Sequence, residues 1–469
     1  MKPQKKHKLP LLISLLFYFF FFPAQSLFGQ YQDFFGLGAR SSSMAGSMTA
    51  LATDHSAVYY NPAGLAFSKP VEIVFSSEYL HLDNFDVSVE KDKQAEKDAE
   101  KMDYIFGVNL GLSLSFGRKE KVIDPLLPCE SCGTPVRASA SKCPKCGAEF
   151  EPMEVSKKTS YPPFGFGINI FLPFKDLVEA SALDSRVPRP YFYQRNLRKV
   201  GLVVGGAFRP LKNLSFGAGA ALLADAHVTT EISQPLGGSV NVDFTENLVG
   251  DIAPVVGIRY SPIKGLWLGI TYRGELSLKV DAIASTVVGG VTFFFLKLQS
   301  ITLFTPHQVA FGASYQIFPN FLAALDITWY NWSRFKTTAN YVENQPGSLA
   351  LNTENPPEIG TRDIVAFRMG AEWTFLPKWI ARFGYYYYPA IVKEQTREST
   401  VLDTDRHVVS LGASHSFLVM GIPNTLDVYM AFHYLPKRTN QKSDPTDPYG
   451  TTSMSAFLIA LGFTLKMEF

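Results

Sequence analysis

Along the stretch LDVYMAFHYL, Leu426, Val428, Met430, Phe432 and Tyr434 take every second position, and Asp427, Tyr429, Ala431 and His433 fill the places between. Successive side chains of a strand point to opposite sides, so this period of two predicts a strand with two unlike faces. IVAFRMGAEWTF repeats the pattern. Val365, Phe367, Met369, Ala371, Trp373 and Phe375 alternate with Arg368, Gly370, Glu372 and Thr374. At the C-terminus Phe457, Ile459, Leu461, Phe463, Leu465, Met467 and Phe469 alternate with small or polar partners, among them Thr464, Lys466 and Glu468. A soluble sandwich also alternates, so no single strand decides the matter. The recurrence does: strands of about ten residues with aromatics near their ends return along the chain, the pattern of a transmembrane barrel. Lipid offers no partner to an open sheet edge, so such a sheet must close.

The pattern predicts an all-β, 14-stranded antiparallel transmembrane β-barrel over residues 71–469. The expected strands are 71–85, 104–117, 163–172, 200–209, 214–230, 248–261, 265–283, 305–318, 320–331, 364–376, 378–389, 405–416, 424–434 and 453–469. Their connections alternate in length. RPLKN, SPIKG, the turn at Pro319 and the turn at Pro377 are short, whereas 333–363 and 436–452 are long and polar. Bacterial barrels have short periplasmic turns and longer outer loops, so an even strand number puts both ends on the periplasmic side.

The start of the chain agrees with export. Lys2, Lys5, Lys6 and Lys8 precede an apolar run from Leu9 to Phe22, and Ala24 and Ser26 supply small side chains two apart. These are the parts of a secretory signal peptide, expected over 1–26, with a membrane anchor as the alternative. Aromatic residues make up 14% of the 469 residues, with 38 Phe and 21 Tyr, and charged residues only 18%. A net charge of +2 gives no electrostatic case for nucleic acid. After the leader no apolar run is long enough to span as a helix; VVGGVTFFFL, Val287 to Leu296, is too short.

Three patches carry a family resemblance. FGLGARSSSMAGSMTALATDHSAVYYNPAGLA, Phe35 to Ala66, is rich in small residues and holds Asn61, Pro62, Ala63 and Gly64. Thr305 to Phe335 ends in a run with Asp326, Trp329, Trp332 and Ser333. The last strand closes on Phe469. Together they resemble the outer-membrane FadL family, which the resemblance identifies with transport of long-chain fatty acids and other hydrophobic compounds. It implies that residues 27–70 form an N-terminal hatch plugging the barrel. The residues support a plug independently: about eight strands already fill a barrel with their own side chains, so fourteen leave a lumen that must be closed. A turn leading into the first strand is the alternative for Asn61-Pro62-Ala63, since proline fixes φ and marks a bend.

Charges on the strands are costly against lipid and are expected to face inward. Arg368 and Glu372 share one face, and Arg382 lies with Tyr386 and Tyr388 on the inward set of the next strand. Arg368 or Arg382 could pair with a substrate carboxylate; a network tying wall to plug is the alternative. AIASTVVGGVTFFFLKLQSI, about 282–301, is too greasy for a solvated outer loop. The resemblance implies a capture groove there, with Phe293, Phe294 and Phe295 as ligand contacts; extension of strands seven and eight, or packing on a neighbour, is the alternative. Lys91 to Asp103 is a mixed charge run, expected as a solvated helix. Pro162, Pro163, Gly165 and Gly167 weaken the third strand, and the resemblance implies a kink and a lateral gap beside the hatch.

All four cysteines lie in CESCGTPVRASASKCPKCG, where Cys129, Cys132, Cys143 and Cys146 form two Cys-x-x-Cys knuckles. Gly133 and Gly147 follow each pair and let the backbone curl so that amides approach sulfur. The expectation is a structural zinc-ribbon-like module at about 118–162, on the periplasmic side, with no catalytic open position. Two disulfides are the alternative in an oxidising compartment, and iron is another candidate metal. The module is a candidate dock for a periplasmic protein beside the gap.

No nucleotide loop, and no nucleophile–base–acid spacing, stands out, so the reading is of a non-enzymatic protein without an organic cofactor. A passive outer-membrane transporter for hydrophobic small molecules, embedded in outer-membrane lipid, leads. A structural barrel serving secretion or surface attachment is the alternative.

Overall fold

The computed structural model describes residues 36–469 except 83, 101–103, 118–119, 124–125, 130, 138–139, 150–155, 160–163, 175–184, 194–200, 235–240, 289–290, 337–338 and 342–356. The leader, the first part of the expected hatch, and Pro162 and Pro163 lie outside the described residues.

Fourteen strands close into one barrel. They are β1 (Val71–His81), β2 (Ile105–Phe116), β3 (Phe164–Pro173), β4 (Gly201–Leu211), β5 (Leu214–Gln234), β6 (Asn241–Tyr260) and β7 (Leu266–Arg273), followed by β8 (Gln308–Phe318), β9 (Phe321–Tyr330), β10 (Ile364–Leu376), β11 (Trp379–Tyr388), β12 (Arg406–Val419), β13 (Ile422–Asn440) and β14 (Thr452–Glu468). Each pairs antiparallel with its neighbour in sequence, and β1 pairs with β14 from Glu72↔Glu468 to His81↔Ile459, which removes the free edges. No helix among the described residues is long and apolar enough to cross a membrane.

The two-faced pattern has its physical counterpart in exposure. On β13 Val428, Met430 and Tyr434 face out, while Asp427, Tyr429, Ala431 and His433 are buried in the lumen. On β10 Val365, Met369 and Trp373 face out and Arg368 faces in. Lipid would cover the first set. Phe116, Phe164, Phe208, Tyr260, Phe318, Trp373, Phe375 and Trp379 form an exposed aromatic band near the rim with the short turns, the level at which aromatic side chains meet a membrane interface.

Three expectations need correction. Strand seven stops at Arg273 rather than 283, because the chain leaves the barrel there, with the Gly274 N–H bonded to the Pro254 carbonyl. The greasy stretch beyond is no loop. Leu276–Val288 and Val291–Thr305 form a hairpin, and the first of these strands also pairs in parallel with Val228–Gln234 of β5. Phe293, Phe294 and Phe295 lie on its second strand. The sheet therefore rises above the barrel on this side, in line with the extension alternative. Among the described residues the expected gap at strand three is also missing. β3 pairs with β2 from Gly107↔Pro173 to Phe116↔Phe164 and with β4 from Phe164↔Phe208 to Phe171↔Gly201, without a register shift on either side. Gly165 and Gly167 have a different use, described below.

The charge run forms the helix Lys93–Glu100 in the connection between β1 and β2. On the opposite rim Glu120–Ile123 pairs with Ser156–Thr159 as a short ribbon beyond β2 and β3, carrying the cysteines away from the barrel.

Candidate functional site

The segment 36–68 runs inside the barrel and forms a floor across it. Its path is set by small residues on both sides. A methyl group added at Gly165, Gly217, Gly269, Gly312, Gly384 or Gly412 would collide with Leu65, Pro62–Ala63, Thr49, Thr49–Ala50, Met44–Ala45 or Ser43. These six glycines lie on β3, β5, β7, β8, β11 and β12, so the wall is hollowed around most of its circumference. Gly167 likewise meets Val58 and Leu65. The glycines of strand three serve this close approach, and the ladder stays whole.

The Asn-Pro-Ala-Gly run has a local reason. Asn61 caps the 3₁₀ helix Pro62–Phe67, its Oδ1 accepting from the Ala63 N–H at 3.1 Å, with Pro62 at the first position, where no donor is needed. The Asn61 amide donates to the carbonyls of Thr49, at 2.8 Å, and of Ile258 on β6, at 3.0 Å. Ser215 on β5 donates to the Ala63 carbonyl at 2.8 Å. Gly64 lies against the Ala52 carbonyl, where a side chain has no room.

Charges fasten the floor on the other side. Arg40 contacts Glu372 at 2.7 Å, and Glu372 accepts from Arg382 at 2.8 Å. Arg382 reaches Asp427 at 2.7 Å, and Asp427 meets Lys466 at 3.0 Å. Lys466 lies 3.5 Å from Asp54, and Asp54 lies 3.7 Å from Arg40. Three cations and three anions thus alternate in a closed ring that joins the floor to β10, β11, β13 and β14. Each buried charge has opposite charges on both sides, which offsets the desolvation of burial. Arg382 is committed to two carboxylates within this ring.

Above the floor lies a cleft lined by Gly36, Gly46, Arg273, Arg368, Tyr386, Tyr429 and His433 among others. Arg368 donates to Thr328 at 3.0 Å, Tyr330 at 2.7 Å and Tyr386 at 2.9 Å, and its guanidinium lies 4.1 Å from the centre of the Tyr386 ring. The structure brings Arg368 and Tyr386 together; Arg382 belongs to the ring of charges. Farther out, the Trp332 indole N–H donates to the Tyr388 hydroxyl at 2.7 Å. Phe192, Phe304 and Phe335 pack with Trp332 at ring separations of 5.5, 5.7 and 6.4 Å. Sequence reading singled out Trp332 but not Phe192, Phe304 or Phe335. Phe335 ends the conspicuous Thr305–Phe335 stretch and Phe304 immediately precedes it, and the aromatic run Tyr191–Tyr193 was the available signal for Phe192.

Residues 31–468 match the family model described as "Outer membrane protein transport protein (OMPP1/FadL/TodX)". The chain belongs to this family. Its place is the outer membrane. Alkane uptake protein A of Marinobacter nauticus is 24% identical over 271 residues, which make up 53% of this chain and 58% of that protein. The chain therefore matches less than two thirds of that relative's length. A Pseudomonas aeruginosa FadL homologue aligns over 92% of this chain and 98% of its own, with a TM-score of 0.53 and 14% identity. The Ralstonia pickettii toluene transporter TbuX aligns over 93% and 99%, with a TM-score of 0.50 and 14% identity. The Pseudomonas putida toluene transporter TodX gives 93%, 99%, 0.50 and 13%. These three share the fold.

In this family member the cysteines stand on the rim that also carries the short turns and both barrel ends, the periplasmic rim by the rule for bacterial barrels. The Cys129 and Cys146 sulfurs are 3.6 Å apart and those of Cys132 and Cys143 3.7 Å apart. All four lie within 4.8 Å of one another and none is in a disulfide. The two knuckles repeat one hydrogen-bond pattern. Gly133 donates to the Cys129 carbonyl as Gly147 does to Cys143; Cys129 donates to Thr134 as Cys143 does to Ala148. The repeat needs a left-handed residue after each pair, met by Gly133 at φ 69° and Gly147 at φ 74°. Hydrogen bonding to the Thr134 side chain and amide brings the Cys132 thiol down to about 6, which favours the thiolate that binds metal. Such a group can hold a metal ion.

Proposed function

We propose that the protein is a passive outer-membrane channel for hydrophobic small molecules, with fatty acids, alkanes and small aromatics as the classes to test. The observation that carries this reading is the cleft inside the closed barrel, between the aromatic cluster at the outer mouth and the floor. Aromatic rings offer apolar surface at the entrance, and burial of a hydrocarbon contributes roughly 25 cal/mol per Å². Arg368 offers a polar anchor inside. Asn61, Pro62, Ala63 and Gly64 hold the hatch, which must shift for release into the periplasm. In this reading residues 1–26 are the signal peptide and 27–70 the hatch. Native mass spectrometry of the purified protein and uptake of labelled dodecane and dodecanoate by cells test it; an empty lumen together with uptake no greater than in cells lacking the protein overturns it.

The cysteine module takes zinc in this reading. Four sulfurs about 2.3 Å from one ion stand about 3.8 Å apart in a tetrahedron, close to the separations of 3.6 and 3.7 Å found here, whereas a disulfide needs about 2.0 Å. Metal analysis of the native protein decides between zinc and iron. A periplasmic protein docking on the module is the role we assign to it. Deleting 122–157, with barrel insertion and uptake measured separately, tests that role; loss of neither leaves the module without one.

A further inference from the structure

On the periplasmic side of the floor, the inner face of β6 ends in Arg259, only 4% exposed. Its Nε donates to the Ala50 carbonyl at 2.8 Å. Its Nη1 is buried and has no hydrogen-bond partner. No carboxylate pairs with it among the described residues. Its guanidinium is covered by rings instead, 3.7 Å from the centre of Trp267 and 4.5 Å from that of Phe67. Arg209 of β4 lies over the same Phe67 ring at 3.8 Å, so the two positive charges are within about 8 Å of each other. Arg209 also donates to the Lys212 carbonyl in the short turn after β4.

This arrangement differs from the ring of charges on the same floor, where every cation has two anions. Cation–π contacts offset part of the desolvation of a guanidinium, but they leave its donors unmet and do nothing for the repulsion between two arginines. A planar fork with a free N–H is suited to a carboxylate or phosphate oxygen. Phe67 and Trp267 add apolar surface beside it. Phe67 is half-buried at the end of its 3₁₀ helix and covers both guanidiniums, so it must turn aside for an anion to reach Nη1.

We propose that Arg259 and Arg209, with Phe67 and Trp267, form a second ligand site at the periplasmic mouth that takes an amphiphile with an oxyanion head. The head lies on the two guanidiniums and the tail replaces the contacts of the Phe67 ring. The site rests on the transport reading for its supply of ligand, since it faces the lumen and not the lipid. It would hold an acidic cargo molecule after it has passed the floor.

The test uses the full chain in non-ionic detergent with a dodecanoate that carries a photoreactive group in its tail. Cross-linking to peptides holding Phe67 or Trp267 is expected, and to fall about tenfold in both Arg209→Gln and Arg259→Gln. Arg209→Gln lies off the Ala50 contact and keeps the test valid if Arg259→Gln disturbs the floor; heat-modified gel migration checks the barrel in each. The dodecanol analogue should not label these peptides, and inorganic phosphate should compete far more weakly than dodecanoate. Labelling unchanged in folded variants, equal labelling by the alcohol, or equal competition by phosphate would each overturn the site; the last would make it a plain phosphate site. Uptake of dodecane and dodecanoate is measured in parallel. Failure of the wild type to take up either compound, together with an empty lumen, sinks the transport reading, while the cross-linking still decides the site.

Discussion

Residues 36–68 and the cysteine insert are both short stretches outside the barrel wall, and they are held in opposite ways. The floor borrows its surroundings: six wall glycines receive its backbone, and a six-membered ring of charges fastens it to four strands. The insert stands off the rim on a two-stranded ribbon, and its small buried cluster contains Cys129, Val136 and Cys143. A fold of under about 40 residues needs a metal or disulfides for lack of buried area. The comparison teaches that position decides the means: inside the barrel the shape and charges of the wall hold the segment, and outside it four sulfurs within 4.8 Å of one another stand where a wall is missing.

The largest expected effect separates the two regions outright. Chelation, or Cys129→Ser with Cys143→Ser, should unfold the module completely and leave the barrel untouched. Limited proteolysis should then cut within 118–162, while heat-modified migration of the barrel stays as in the wild type. Cleavage inside 36–68 under the same treatment would show that the two regions are coupled. Next comes the ring of charges. Asp427→Ala leaves Arg382 and Lys466 each short of a partner, a loss of about 3–5 kcal/mol for a buried ion pair with one member removed. Protease access to 36–68 should rise, and single-channel conductance should report leakage.

Smaller effects sharpen the role of shape. Gly217→Ala puts a methyl group into the backbone of Pro62 and Ala63, and overpacking of this kind costs about 1–3 kcal/mol. Gly421→Ala, in a periplasmic turn with open space around it, should leave the floor intact and lose about 1 kcal/mol through its φ of 79° alone. A floor equally loosened by both would show that wall clearance is irrelevant. The least effect is expected from Trp332→Phe. It removes the hydrogen bond to Tyr388, about 0.5–1.5 kcal/mol, and keeps the ring. Dodecane uptake should change little, whereas Trp332→Ala should reduce it by breaking the aromatic cluster.

Some of this was readable residue by residue. Alternation at 426–434 and 364–376 gives the outward and inward faces because the period of two is a property of one strand. The cysteine spacing carries its own geometry for the same reason. The end of β7 was not readable, since alternation runs on past Gly274 into 276–288, and only the pairing partner tells barrel wall from outer hairpin. Gly165 and Gly167 looked like a break in strand three, but the feature they accommodate, Leu65, lies 100 residues earlier.

Local order thus determined the strand type, the strand number, the inward charges and the thiolate knuckles, because each follows from neighbours within about ten positions. Only the closed tertiary structure decided that Arg40, Asp54, Glu372, Arg382, Asp427 and Lys466 form one ring, and that Arg259 is left outside any such pairing among the described residues. Closing the barrel brings together side chains separated by hundreds of residues, and Coulomb forces act on distance in space rather than along the chain.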